Sequence, residues 1–152
     1  MVQASGVAAL SGLFFALLES GDHVVFSSVT YIAVYRLLNE LLKKKFHVDT
    51  TIVDTSDLEA VKKAIRPNTK LVYGETIANP LMSVPDIQHL ADVAHAHGAK
   101  LFIDNTFATS IIAKPIKFGA DLVIYSATKY LGGHDDLVGG AVVGSEEIIK
   151  SL

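Results

Sequence analysis

The chain has 152 residues, a net charge of −3 and a composition that is half hydrophobic, so it reads as one folded domain and not as a disordered segment. No basic stripe interleaved with aromatics points to nucleic acid, and no segment reaches the roughly 20 apolar residues that span a membrane. Without cysteine there is no disulfide framework and no thiolate metal site, a pattern compatible with the cytoplasm.

The opening "MVQASGVAAL" lacks the basic stretch of a signal peptide. A strand stub, Val2 to Ala4, precedes Ser5, which caps a helix expected to run to Glu19, with Gly21 beyond its end. "HVVFSS" (23–28) is a short apolar strand. Tyr31 to Lys45 reads as an amphipathic helix with Leu37, Leu38, Leu41 and Leu42 on one face and a basic tail suited to the C-terminal dipole. "VDTTIVD" (48–54) alternates as a strand, and Ser56 is expected to cap a helix through Ile65 with Glu59 at the capping-box position. "KLVYGET" is the next strand. "VPDIQHLADVAHAHG" is a helix with Pro85 near its start and Gly98 at its C-cap. "KLFIDNTF", "DLVIYSAT" and "GGAVVG" are further strands, and "SEEIIKSL" opens another helix. Such alternation with buried strands predicts a mostly parallel sheet covered by helices on both faces. The abrupt ends lead to the expectation that the chain is one domain of something longer.

In such folds ligands bind beyond the carboxyl ends of the strands. The residues expected there are Ser5-Gly6-Val7, Tyr31, Glu75-Thr76, Asn79, Asp104-Asn105-Thr106, Ser126, Thr128 and Lys129. Small residues opening a helix present free N–H groups to an anion, and Ser126 and Thr128 add hydroxyl donors. Asp104 ends the apolar run "LFID", where a carboxylate is costly unless it faces a cation. Lys129 stands where an apolar strand breaks towards Gly132-Gly133, either as an amine snorkelling to water or as a desolvated nucleophile. Taken singly, Ser5 is a helix cap, Tyr31 a rim aromatic, Asp104 a turn cap and Lys129 a surface lysine. Taken together, they describe a pyridoxal 5'-phosphate (PLP) site. The lysine would form a Schiff base with the aldehyde, and the aspartate would keep the ring nitrogen protonated.

Two other chemistries fit less well. Ser126-Ala127-Thr128-Lys129 is also an S-x-x-K string of acyl-transferring enzymes, but its S-D-N and K-T-G partners are absent. His95 and His97 are two apart, so on a helix they diverge, and the polarity of His134, Asp135 and Asp136 is explained by their glycine-flanked loop.

"SATKYLGGHDD", "FIDNTFAT", "GETIANP" and "SGVAAL", with "GDHVV" and Tyr31 downstream of the last, resemble the Cys/Met-metabolism family of PLP-dependent enzymes. The family includes cystathionine γ-synthase, cystathionine lyases, O-acetylhomoserine sulfhydrylase and methionine γ-lyase. The resemblance runs in order over essentially the whole chain. It implies the large domain of a fold-type I PLP-dependent transferase: a mainly parallel seven-stranded sheet, last strand antiparallel, helices on both faces. It also implies β/γ-elimination or γ-replacement on a sulfur amino acid or activated homoserine, by a homodimer or homotetramer.

Carried over by position, Lys129 matches the Schiff-base lysine and Asp104 the pyridinium partner. Ser126 and Thr128 match the phosphate-binding hydroxyls, and Gly6 and Val7 the phosphate-binding amides. Tyr31 matches the ring-stacking tyrosine, also assigned to proton transfer, and Asn79 a residue that positions cofactor and substrate. Glu75 and Thr106 are further polar candidates. Three positions depart from the family pattern. Ile32 replaces a glycine and is expected to crowd the pocket; Asp135 replaces a serine or glycine; Ala33 replaces the cysteine of many methionine γ-lyases. Family members also carry an N-terminal arm that reaches the neighbouring subunit's phosphate and a C-terminal domain with a carboxylate-binding arginine. The chain therefore reads as the cofactor-binding core. The alternative is a truncated domain that binds PLP, or serves as an oligomerisation unit, without turnover.

Overall fold

A strand of consecutive apolar residues is stable only when both its faces are covered. In the computed structural model, which describes residues 1–151, β2 (His23–Ser27) is buried at every position and β4 (Thr69–Glu75) at every position but Lys70. With β1 (Val2–Gln3), β3 (Asp49–Val53), β5 (Lys100–Asp104), β6 (Leu122–Ser126) and β7 (Gly140–Gly144) they form one seven-stranded sheet, ordered β1-β7-β6-β5-β4-β2-β3. The pairs β3–β2–β4–β5–β6 are parallel, whereas β7 runs antiparallel to both β6 and β1.

Alternation of side chains sends Leu71, Tyr73, Phe102, Leu122 and Ile124 to one face, where Leu10, Leu13 and Phe14 of α1 (Gly6–Leu17) cover them. Val72, Leu101, Ile103 and Val123 point the other way, under α4 (Leu58–Ala64) and α5 (Ile87–Ala96). A Cβ on Gly140 would overlap the Ser5 carbonyl. The missing side chain therefore lets β7 lie against the start of α1.

Two local expectations change and a third is made exact. Asp57, not Ser56, caps α4: its Oδ1 accepts from Glu59 N and Ala60 N, both at 3.0 Å. Ser56 turns back instead, donating from N (2.9 Å) and Oγ (2.6 Å) to Asp54 Oδ1. The helix after Tyr31 is continuous but not uniform. It begins as α2 (Ile32–Tyr35), widens to a π-helix over Arg36–Leu42 and closes as α3 (Lys43–Phe46). The wider turns keep Leu38 and Leu42 buried but rotate Leu41 outward, to 39% exposure. Finally, α5 is capped by Asp86, which accepts from His89 N at 3.1 Å, so Pro85 lies just ahead of the cap. Gly98 follows the helix end at φ +75°. Among the described residues no helix is long and apolar enough to cross a membrane.

At the opposite edge from the strand carboxyl ends, His23 is wholly buried, its ring nitrogens 2.7 Å from Thr69 Oγ1 and 2.8 Å from Thr51 Oγ1. Burial, with the Arg66 and Lys43 charges, lowers its pKa to about 4, against an opposing pull from Asp49. The folded chain keeps His23 neutral while the unfolded chain protonates it near 6.5. Its contribution to stability is therefore full above pH 6.5 and is lost as pH falls towards 4. We expect His23→Asn to remove about 2 kcal/mol from the acid-side loss of stability, after allowance for screening. Denaturant melts of both proteins at pH 7.5 and 4.5 check this; parallel pH dependences would disprove it.

Candidate functional site

The carboxyl ends of β4, β5 and β6 and the first turn of α1 border a cavity of about 680 Å³. Gly6, Val7, Tyr31, Glu75 and Asn79 line it, as do Asp104, Thr106, Ser126, Thr128 and Lys129, so the site residues carried over by position meet in one place. Sequence reasoning did not select its apolar lining, which includes Leu10, Ile124 and the edge-to-face pair Phe107–Tyr130, with ring centroids 5.5 Å apart. Phe107 and Tyr130 adjoin polar site residues, but single aromatics in loops carried no signal of where they point.

One end of the cavity is a cradle for an anion. Ser5 Oγ accepts from Ala8 N at 3.0 Å, while the preceding N–H groups of Gly6 and Val7 open a twelve-residue helix. A Cβ at residue 6 would stand 2.6 Å from Ser126 Cβ and 2.8 Å from its Oγ, so only glycine permits this approach. Thr128 Oγ1 accepts from Gly139 N at 3.1 Å and has only a long contact, 3.4 Å, for its proton on Gly139 O. That hydroxyl remains available as a donor.

Asp104 is half-buried at the end of β5. Its Oδ1 accepts from Thr106 N at 2.9 Å, and Thr106 Oγ1 in turn accepts from Ser126 N at 2.8 Å. Thr106 thus ties the carboxylate to the anion cradle. Burial pushes the Asp104 pKa up to about 6; Thr106 opposes the rise and the Glu75 carboxylate adds to it.

Glu75 has a different task from the one a polar lining residue suggests. Its Oε1 accepts from Thr30 Oγ1 (2.8 Å) and Tyr31 N (2.6 Å), and its Oε2 from Asn79 N (3.4 Å). Burial raises its pKa, and these donors oppose the rise. The buried carboxyl therefore pins the loop ahead of α2 and the turn after β4, setting the positions of Tyr31 and Asn79. Neither Thr30 nor this clasp was legible in the sequence, because the contact spans 44 residues. Thr76 and Asn105, also expected at the strand ends, turn inward: Thr76 Oγ1 donates to Asn105 Oδ1 at 2.7 Å in a buried pair.

Lys129 lies in a π-type turn (Ala127–Leu131) that its own backbone breaks, at φ −93°, ψ −126°. Its side chain is exposed. The chain does not itself build the desolvated setting considered above.

The chain matches the family described as Cys/Met metabolism PLP-dependent enzyme over residues 1–152. It belongs to that family. It is 46% identical over 152 residues to a canavanine gamma-lyase of Pseudomonas canavaninivorans, covering 100% of this chain and 38% of that protein. It is 47% identical over 149 residues to the cystathionine gamma-lyase of Bacillus subtilis, covering 97% of this chain and 39% of that protein. A crystal structure of cystathionine gamma-lyase from Lactobacillus plantarum complexed with L-serine superposes with a TM-score of 0.95 at 42% identity, covering 99% of this chain and 39% of that one. The chain thus spans well under half the length of its relatives. The parallel sheet with its antiparallel β7 is the large-domain architecture expected of this family, and the family's cofactor is PLP.

Among the departures from the family pattern, Ile32 is 56% exposed and is not among the lining residues, so it does not crowd the cavity. Asp135 does line it, from a loop position with φ +57°. His95 and His97 diverge as their spacing requires: His95 Nε2 meets Asp121 Oδ2 at 2.8 Å, and His97 Nδ1 meets the Val93 carbonyl at 2.8 Å.

Proposed function

We propose that this chain is the PLP-binding core of an enzyme that eliminates or replaces a substituent at the β- or γ-carbon of a sulfur amino acid or activated homoserine. The observation that carries the reading is the convergence of an anion cradle, a half-buried carboxylate and a lysine on one cavity. Relatives named as gamma-lyases support bond cleavage at the γ-carbon.

The residues fit the cofactor. The N–H groups of Gly6 and Val7 and the hydroxyls of Ser126 and Thr128 would hold its phosphate. Asp104, whose burial disfavours its charge, would be offset by a protonated ring nitrogen. Lys129 would carry the amine for covalent attachment, and Tyr31, whose backbone Glu75 pins, would offer its ring to the cofactor. When bound, PLP supplies an aldehyde that takes up amines and an electron-poor ring that accepts the electron pair released at the α-carbon. Lys129 Nζ would be the group placed to take a proton from the substrate's α-carbon. Tyr31 is the second proton carrier, and Asn79 orients the substrate.

A second copy of the chain is the proposed partner, in a homodimer or homotetramer. Tyr130 and Leu131 next to Lys129 are 64% and 47% exposed, and Ile111 and Ile112 are 89% and 74% exposed, more apolar surface than an isolated site rim needs. The proposed setting is the cytoplasm, in keeping with a cysteine-free chain. The exposure of Lys129 favours one further reading, in which this chain binds PLP without completing turnover.

The test is a PLP titration followed by borohydride and peptide mapping. The expected result is a pyridoxyl mass on the peptide containing Lys129; label confined to other lysines, or none, overturns the proposal. Gly6→Ala is expected to push Ser126 aside and weaken PLP binding about ten-fold, the worth of one charge-assisted hydrogen bond. Unchanged affinity in the same titration would remove the cradle from the site.

A further inference from the structure

Tyr73 is wholly buried in β4, and among the described residues its hydroxyl makes no hydrogen bond. Buried hydroxyls almost always find a partner, and a phenylalanine would fill the same space without that cost. The ring is held rigidly, edge-on to Phe102 (centroids 5.4 Å apart, 88° between planes) and to Phe14 (5.9 Å, 61°). The position is therefore packed, while its polar atom has been left waiting.

Register shows what it waits for. Tyr73 pairs with Phe102, and Glu75 with Asp104, so Tyr73 stands one pleat behind the two carboxyl groups on the same face of the sheet. The charges of Asp104 and Glu75 both bear on its hydroxyl, and Asp104 and Thr30 are its nearest hydrogen-bonding candidates, yet it forms no hydrogen bond of ordinary geometry. The Thr30 proton is already given to Glu75 Oε1, so Thr30 offers Tyr73 only an acceptor. An ionised carboxylate has about four acceptor positions. On Asp104, Thr106 N fills one, and the cofactor's ring nitrogen faces another in the reading above, on which this inference rests.

We propose that Tyr73 is a positioning residue: its hydroxyl donates to the Asp104 carboxylate from behind and holds it towards the cofactor's ring nitrogen. The side chain touches neither cofactor nor substrate and acts only through Asp104.

The experiment compares wild type with Tyr73→Phe in titrations with PLP and with its 1-deaza analogue, whose ring nitrogen is replaced by CH. The expected result is about ten-fold weaker PLP binding by the variant, with affinity for the deaza analogue changed less than about two-fold. The melting temperature of the cofactor-free variant is expected to be unchanged or raised, since an unpaired buried hydroxyl has gone. Equal affinities of variant and wild type for PLP would overturn the proposal and leave the PLP reading standing. Equal weakening towards both ligands, or a lowered melting temperature, would also overturn it, because a packing role alone predicts either. Failure of wild type to take up PLP at Lys129 would sink both.

Discussion

Replacing Lys129 by alanine is expected to abolish borohydride-stable pyridoxyl label and the accompanying visible absorbance, while the fold survives. The side chain is exposed and sits in a turn whose backbone is already non-helical, so nothing buried depends on it. Exposed substitutions of this kind change stability by about 0.5 kcal/mol or less. The remaining lysines include the exposed Lys43, Lys44 and Lys45, and they have amines but no anion cradle beside them. At near-stoichiometric PLP they retain little label. Gly6, Val7, Ser126 and Thr128 stay in place in the variant, so PLP still binds non-covalently and inorganic phosphate displaces it. Lys129→Arg is expected not to restore the label, because guanidinium keeps its proton and does not act as an amine nucleophile. Mass mapping after reduction decides the matter: undiminished label in Lys129→Ala would remove this lysine from the chemistry.

The site was legible because parallel α/β sheets deliver the carboxyl ends of successive strands to one edge. Reading where each apolar run stopped was enough to bring Asp104 and Ser126 to the same cavity as the start of α1. Side-chain direction was less legible. Ser56 and Asp57 are adjacent residues that can both cap a helix, and only the backbone decides that Asp57 reaches Glu59 N and Ala60 N. Leu41 carried the helical period correctly for a uniform α-helix but lies in a π-helical stretch. Glu75 was found as a strand-end acid, yet its clasp on Thr30 and Tyr31 depends on where β2 lies beside β4. Tyr73 was hidden more thoroughly. As one apolar residue in an interior strand it reads as core, and its ring is core; only the β4–β5 register puts it on the face of the sheet that carries Asp104.

That carboxyl group also yields a prediction of opposite sign in the absence and presence of cofactor. In the folded chain Asp104 loses its proton near pH 6, against 3.8 for an unperturbed carboxyl. Between these values the unfolded chain has released a proton that the folded chain retains, so stability falls as pH rises from 3.8 towards 6. Above pH 6 the folded protein bears the whole penalty, about 2 kcal/mol once partial exposure is allowed for. Asn carries no such charge. Cofactor-free Asp104→Asn at pH 8 should therefore be about 2 kcal/mol more stable than wild type, raising the melting temperature by roughly 4–8 °C. The gain should vanish towards pH 4, where the wild-type carboxyl is protonated. His23 acts in the opposite direction over an overlapping window, so the two proteins must be compared at each pH and not along one curve. With saturating PLP at pH 8 the order should reverse, because the amide cannot pair with a protonated ring nitrogen and affinity falls by about ten-fold or more. Thermal melts of both proteins at pH 4.5 and 8, with and without PLP, supply all four comparisons. If Asp104→Asn gains nothing at pH 8 without cofactor, burial is not what raises the carboxyl. If it gains there and still binds PLP as tightly as wild type, Asp104 is a buried acid with no part in holding the ring.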